Sequence, residues 1–178
     1  MIYKKDKLNI DGFDVNFLAK KFSTPIYCYS LKRIKENILS FKSNFKKINP
    51  LICFAVKANS NVNILKEIKN LDLGADIVSI GELMKALKAG IKPHKIVFSG
   101  VGKTNPEIEY AVNKKILLIN TESKSEILEI EKIAKQKKRV INIGIRLNPN
   151  IDPKLSVKFQ LGKKKINLVF LIKYFFNL

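Results

Sequence analysis

The chain has 178 residues, enough for one domain with a real core, and its 46% apolar content makes it globular rather than disordered. No apolar run approaches the ~20 residues that span a bilayer, and no signal-type stretch follows the lysine-bearing start Met1 to Asn9, so a cytoplasmic protein is expected. The net charge of +19 would favour an anionic partner, but lysines are spread along the whole chain and no nucleic-acid motif accompanies them; specific nucleic-acid binding is not expected.

In chain order, Ile26–Tyr29 is the first strand candidate. A helix starting near Leu31 sets Ile34, Ile38, Phe41 and Phe45 on one face. Strand candidates Leu51–Val56, Ala75–Val78, Lys95–Phe98, Ile116–Ile119 and Val140–Leu147 then alternate with helices Asn61–Lys69, Gly81–Ala89, Pro106–Asn113 and Ser123–Lys137. Pro106 suits a first helical turn and Gly90 a helix end. Five βα-spaced strands imply a parallel sheet, either doubly wound or part of a (β/α)8 barrel. No GxGxxG follows the first of them and no GxxxxGK[ST] is present, and SGVGKT (Ser99–Thr104) has the wrong glycine spacing for a phosphate loop. A whole barrel takes ~250 residues, so only its first part fits. Cys28 and Cys53 lie in apolar runs without CxxC spacing, and are read as buried free thiols with no metal role. After Pro153 the alternation fails and LVFLIKYFFNL forms an apolar end, exposed unless something covers it.

Four segments carry chemistry. FAVKAN ends an apolar strand in Lys57. A lysine at the C-terminal end of a barrel strand, with its stem against an apolar wall, has a depressed pKa and can serve as a Schiff-base amine; an ordinary strand-end lysine reaching water has the same local sequence. GADIVSIGE ends the next strand with Asp76 and Ser79 and opens a helix with Glu82, whose carboxylate suits the helix dipole. IVFSGVGK ends the third strand in a glycine-rich turn. GIRLNP places Arg146 inside an apolar strand, where it needs an anionic or hydrogen-bonding partner.

Together with IDGFDVNFLAKKFSTPIYCYS and IRLNPNIDPK, these segments resemble the fold-type III pyridoxal-phosphate decarboxylases, and among them the diaminopimelate decarboxylase family, from about residue 9 to residue 154. The resemblance implies an α/β fold: a partial (β/α)8 TIM barrel of the alanine racemase-like type. Residues 1–25 would lead in, 26–154 would form the pyridoxal-phosphate-binding barrel part, and 155–178 an aberrant tail. It implies decarboxylation of meso-diaminopimelate to L-lysine, a small amino-acid substrate, pyridoxal 5'-phosphate as cofactor, and a homodimer that this chain need not assemble. Lys57 would be the cofactor lysine, Asp76 would lie near its amine, Arg146 near the cofactor's hydroxyl edge, and Glu82 in a supporting position.

The chain also departs from that family. The ring-stacking histidine, the phosphate-holding loop, the pyridine-nitrogen glutamate and the cysteine and tyrosine of a later β-domain are not found. His94, in a Lys-Pro-His-Lys turn, falls at the wrong barrel face and reads as a solvated loop residue. FQLGKKKINLVF (159–170), back-translated with AT-rich codons and read one frame over, yields Ser-Thr-Gly-Lys-Lys-Lys-Asn-Lys-Phe-Gly-Ile, the family's continuation. A frameshift between about Lys154 and Phe159 is therefore expected, leaving 157–178 without selected structure and the chain inactive by itself. A related pyridoxal-phosphate-binding barrel without decarboxylase activity and a non-catalytic basic binding protein are the competing readings.

Overall fold

The computed structural model describes residues 2–147, apart from Lys5, Lys46 and Asn49, and the backbone of 168–172. These residues divide into two compact units, Met1–Pro50 and Leu51–Leu178.

The first unit opens with an antiparallel meander of β1 (Ile2–Lys4), β2 (Lys7–Ile10) and β3 (Phe13–Asp14). Ile10 pairs with Phe13 across Asp11-Gly12, and both turn residues have positive φ (49° and 93°). That is the two-residue hairpin turn for which an Asp-Gly pair is favoured, because glycine takes such a φ without strain. Asp14 then caps α1 (Val15–Phe22) by accepting from the Asn16 N–H. Ser30 caps α2 (Leu31–Ser43) through the Arg33 N–H and donates to Asp11, a bond that holds the Asp11 carboxyl below its usual range. Ile26–Tyr29 is not a strand, contrary to expectation. Among the described residues it pairs with no strand, and Tyr27 is 92% exposed. Cys28 is likewise exposed rather than buried.

The second unit is a run of βα repeats: β4 (Cys53–Ala55), a 3-10 turn (Val56–Ala58), α3 (Val62–Asn70), β5 (Gly74–Ile77), α4 (Ile80–Lys88), a second 3-10 turn (Pro93–Lys95), β6 (Ile96–Phe98), α5 (Asn105–Lys114), β7 (Leu118–Thr121), α6 (Lys124–Gln136) and β8 (Ile143–Leu147). Strands β4 to β8 are parallel and lie in sequential order. A doubly wound sheet would reverse its order at a switch point; the strictly sequential order among the described residues is that of a partial (β/α)8 barrel, as expected. Ala75 and Ile96, and Ile77, Phe98, Ile119 and Ile143, sit in register on one face and are fully or almost fully buried; apolar residues of the helices (Leu65, Ile68, Leu83, Ala86, Ile108, Ala111, Ile130) complete that core.

Each of the last three helices starts alike. Ser79, Thr104 and Ser123 are N-caps, followed three residues on by Glu82, Glu107 and Glu126. Glu107 also reaches the neighbouring repeat: one oxygen accepts from the Thr104 N–H and hydroxyl, the other from the Ile80 N–H at the start of α4. These bonds hold its carboxyl below the ordinary range. Gly74 is required by space, since a Cβ there would lie 2.2 Å from the Lys95 carbonyl oxygen and 2.8 Å from Cys53 Sγ.

A sixth strand, β9 (Leu168–Ile172), pairs antiparallel with β8 from Leu147↔Leu168 to Ile143↔Ile172. No element is expected of this apolar stretch from its sequence. The outer edge of β8 presents unpaired N–H and C=O groups, and a β-prone run such as LVFLI satisfies them. An antiparallel strand does not continue a barrel of parallel strands. The expected frameshift point, 154–159, lies outside the described residues.

Candidate functional site

The C-terminal ends of β4 to β8 form one edge of the sheet, where barrel enzymes carry their chemistry. Lys57 stands there on the 3-10 turn that follows β4, and it is exposed. The preceding residue, Val56, is fully buried, whereas Lys57 itself is exposed rather than set against the expected apolar wall. After Lys57 the chain turns away at once, because Asn59 accepts from the Asn61 N–H and Asn61 caps α3 through Asn63.

Asp76 is on the neighbouring strand, in register with Ala55 and Val97 and on the face opposite Ala75 and Ile77. It is half-buried and accepts from the Ser99 hydroxyl at 2.5 Å; Ser99 in turn accepts from the side-chain amide of Asn120 at 2.9 Å. Three successive strand ends are thereby joined by one polar chain. Asn120 is 7% exposed, and its Oδ1 is buried without a hydrogen-bond partner among the described residues. Cys53 lies on this side too: burial, and after it the charge of Asp76, push its thiol up to about 11.

Arg146 projects from β8 and donates from Nη1 to Glu122 Oε1 at 2.9 Å. Its Nε is buried and unpartnered among the described residues. The anionic partner anticipated for this arginine is supplied by the protein itself, from a glutamate that sequence reasoning passed over. Lys57, Asp76 and Arg146 all lie at the same sheet edge, but they do not form one hydrogen-bonded group: Asp76 is tied to β6 and β7, Arg146 to Glu122, and Lys57 stands apart.

Glu82 does what its position in the first helical turn suggested. It accepts from the Val78 N–H, while Ser79 accepts from the Glu82 N–H. His94 is exposed before β6, at the opposite edge, as expected. Lys103, in the SGVGKT segment, does not reach for an external anion. Its side chain is 1% exposed, and its ammonium donates to the carbonyls of Gly100 and Asn120 at 2.6 Å and to Glu126 Oε1 at 2.7 Å. Glu126 Oε2 accepts from the Glu122 N–H at 2.8 Å. Asn120 and Glu122 were missed from sequence; a polar pair closing the otherwise apolar run ILLINTE was the available signal. Among the described residues no helix is long and apolar enough to cross a membrane and no His/Cys/Asp/Glu group is arranged to hold a metal.

Sequential parallel strands with a lysine, a carboxylate and an arginine at one end define the first part of an α/β barrel. The family model described as "Pyridoxal-dependent decarboxylase, pyridoxal binding domain" matches residues 31–166, and the chain belongs to this family. A curated diaminopimelate decarboxylase of Helicobacter pylori strain J99 is 49% identical over 153 residues, covering 86% of this chain and 38% of the relative. The crystal structure of the Helicobacter pylori enzyme complexed with L-lysine superposes with a TM-score of 0.77 at 48% identity, over 82% of this chain and 37% of that one. A diaminopimelate decarboxylase from M. jannaschii, also with L-lysine, gives a TM-score of 0.79 at 35% identity, over 92% of this chain and 40% of that one. The chain thus spans about two-fifths of the length of the relatives it matches. The cofactor of this domain is pyridoxal phosphate. The residues present fit it: an exposed amine at a strand end, and two buried polar atoms, Asn120 Oδ1 and Arg146 Nε, that the described protein leaves unsatisfied.

Proposed function

We propose that the chain is the cofactor-binding part of a diaminopimelate decarboxylase, which removes CO2 from meso-diaminopimelate to leave L-lysine. The observation that carries this reading is the lysine of FAVKAN at the end of β4, with Asp76 one strand away and Arg146 at the same edge. When bound, pyridoxal phosphate supplies the electron sink for the charge left by the departing carboxylate. Lys57 provides the amine that anchors the cofactor and later carries a proton. Asp76, held by Ser99 one strand away, would offer a negative charge to the cofactor-loaded site. Arg146, its Nη1 held by Glu122, turns Nε toward an acceptor such as the cofactor's hydroxyl edge. Glu82 stays in a supporting role at the start of α4.

In this reading residues 1–25 lead into the barrel, 26–154 are its cofactor-binding part and 155–178 are a tail read in a shifted frame; the nucleotide sequence across 150–178 tests that division. The working form is a cytoplasmic homodimer without nucleic-acid or membrane partners. The activity is tested by replacing the matching segment of the Helicobacter pylori enzyme with residues 31–147 of this chain. The chimera is expected to release CO2 from meso-diaminopimelate, and Lys57→Ala to reduce that rate by roughly three orders of magnitude or more. The 178-residue chain alone is expected to release none. A folded, cofactor-loaded chimera that leaves the substrate untouched supports instead a pyridoxal-phosphate-binding barrel without decarboxylase chemistry.

A further inference from the structure

We infer that Lys103 is a positioning residue for the cofactor site, acting with Glu126 to set the ends of β6 and β7 and, through Glu122, the orientation of Arg146. This inference rests on the proposed cofactor site and deepens it. A lysine is almost never fully buried unless its charge and donors are met. Here all three ammonium protons have acceptors, and each acceptor belongs to a different part of the site. The Gly100 carbonyl is next to Ser99, the residue that holds Asp76. The Asn120 carbonyl belongs to the residue whose side chain holds Ser99. Glu126 fixes the backbone of Glu122, whose carboxylate holds Arg146.

The loop that brings Lys103 inward depends on Gly100 and Gly102, which have φ of 93° and 72°. A Cβ at Gly100 would also press on Val78 Cβ at 3.2 Å. The ammonium lies 5.7 Å from the Phe98 ring centroid, so apolar surface closes the side away from its acceptors. The two ion pairs, Lys103–Glu126 and Glu122–Arg146, are joined through their acidic members. Asp76 lies outside these pairs, held by Ser99. The two polar groups of the site, Asp76–Ser99–Asn120 and Glu122–Arg146, share no hydrogen bond among the described residues. Lys103 bonds directly to the backbone beside one group and reaches the other through one carboxylate.

The test uses the double variant Lys103→Met with Glu126→Leu, which removes both buried charges together and avoids stranding one. Glu126→Gln serves as the variant of unchanged size. The full chain is titrated with pyridoxal phosphate, followed by circular dichroism induced in the cofactor absorption band and by borohydride trapping at Lys57. Dichroism reports a fixed orientation of the cofactor, which a role confined to stability leaves unchanged in folded protein. Variants that melt cooperatively are expected to keep trapping at Lys57, to lose most of the induced dichroism, and to bind roughly tenfold more weakly. Adding Arg146→Met should then cost less further affinity than it does alone, because Glu122, which orients Arg146, has lost the Glu126 carboxylate that fixed its backbone. If the double variant fails to fold, Glu126→Gln decides: it should show a smaller loss in the same two signals. Unchanged dichroism and affinity in a folded variant, or a loss that adds fully to that of Arg146→Met, overturns the inference. Absence of trapping at Lys57 in the unmodified chain overturns the cofactor site itself, and the inference with it.

Discussion

Glu107→Gln isolates a bond that ties two βα repeats together. Glu107 accepts from the Thr104 N–H at 3.0 Å, the Thr104 hydroxyl at 2.9 Å and the Ile80 N–H at 3.0 Å, so one carboxylate serves the starts of both α5 and α4. A glutamine has one acceptor oxygen and no charge. It can serve one of these sites and must leave the other N–H facing an amide NH2. Losing a helix-start partner costs about 1 kcal/mol, and weakening the remaining charge-assisted bond to a neutral one costs about 1 kcal/mol more. The total is about 2 kcal/mol, or roughly 5 °C in melting temperature for a chain of this size. The bonds hold the folded carboxyl below its ordinary 4.5. Stability from this group is therefore complete above pH 4.5 and is lost as pH falls through the lower, folded value. Thermal melts of both proteins at a series of pH values should show a gap at pH 7 that closes in acid. A gap under about 0.5 kcal/mol at pH 7, or one that stays constant into acid, refutes the reasoning.

Gly74→Ala should be among the more damaging single-atom additions, since its Cβ would collide with the Lys95 carbonyl at 2.2 Å and with Cys53 Sγ; a loss of about 2 kcal/mol or more in chemical denaturation is expected, and a neutral result would mean that β4 and β6 shift apart freely. Exposed Cys28 should react with a charged thiol reagent near neutral pH, whereas Cys53, its thiol pushed up to about 11 by burial and by Asp76, should react roughly a hundredfold more slowly or more until the chain is denatured. Equal rates in native protein, followed by mass spectrometry, would contradict the placement of Cys53.

The five parallel strands were legible because apolar runs and amphipathic helices alternate at βα spacing, and the chemistry-bearing types sit where each run ends. The amino-terminal hairpin was overlooked although Asp11-Gly12 is a strong turn signal; strands of two to four residues are too short to show a period. Ile26–Tyr29 is the opposite case, an apolar run that joins no sheet among the described residues. The strand-end positions of Lys57, Asp76 and Arg146 follow from the strand pattern, whereas their roles rest on the family resemblance. The polar residues closing ILLINTE mark Asn120 and Glu122, but their partners and the inward turn of Lys103 depend on pairings 17 to 24 residues apart in sequence. Lys103 in particular reads as a surface lysine until the glycine conformations that turn it inward are known. The antiparallel pairing of β9 was equally hidden, because an apolar segment carries no mark of the edge it will occupy.

The central claim is that Lys57 anchors the cofactor, and borohydride reduction of the chain in the presence of pyridoxal phosphate, followed by peptide mapping, tests it most directly. The chain has 31 lysines, so an indiscriminate reaction would spread label over many peptides. The account predicts label concentrated on the peptide containing FAVKAN at limiting cofactor, and its loss in Lys57→Ala with the rest of the map unchanged. Label distributed over surface lysines and indifferent to Lys57→Ala would contradict it.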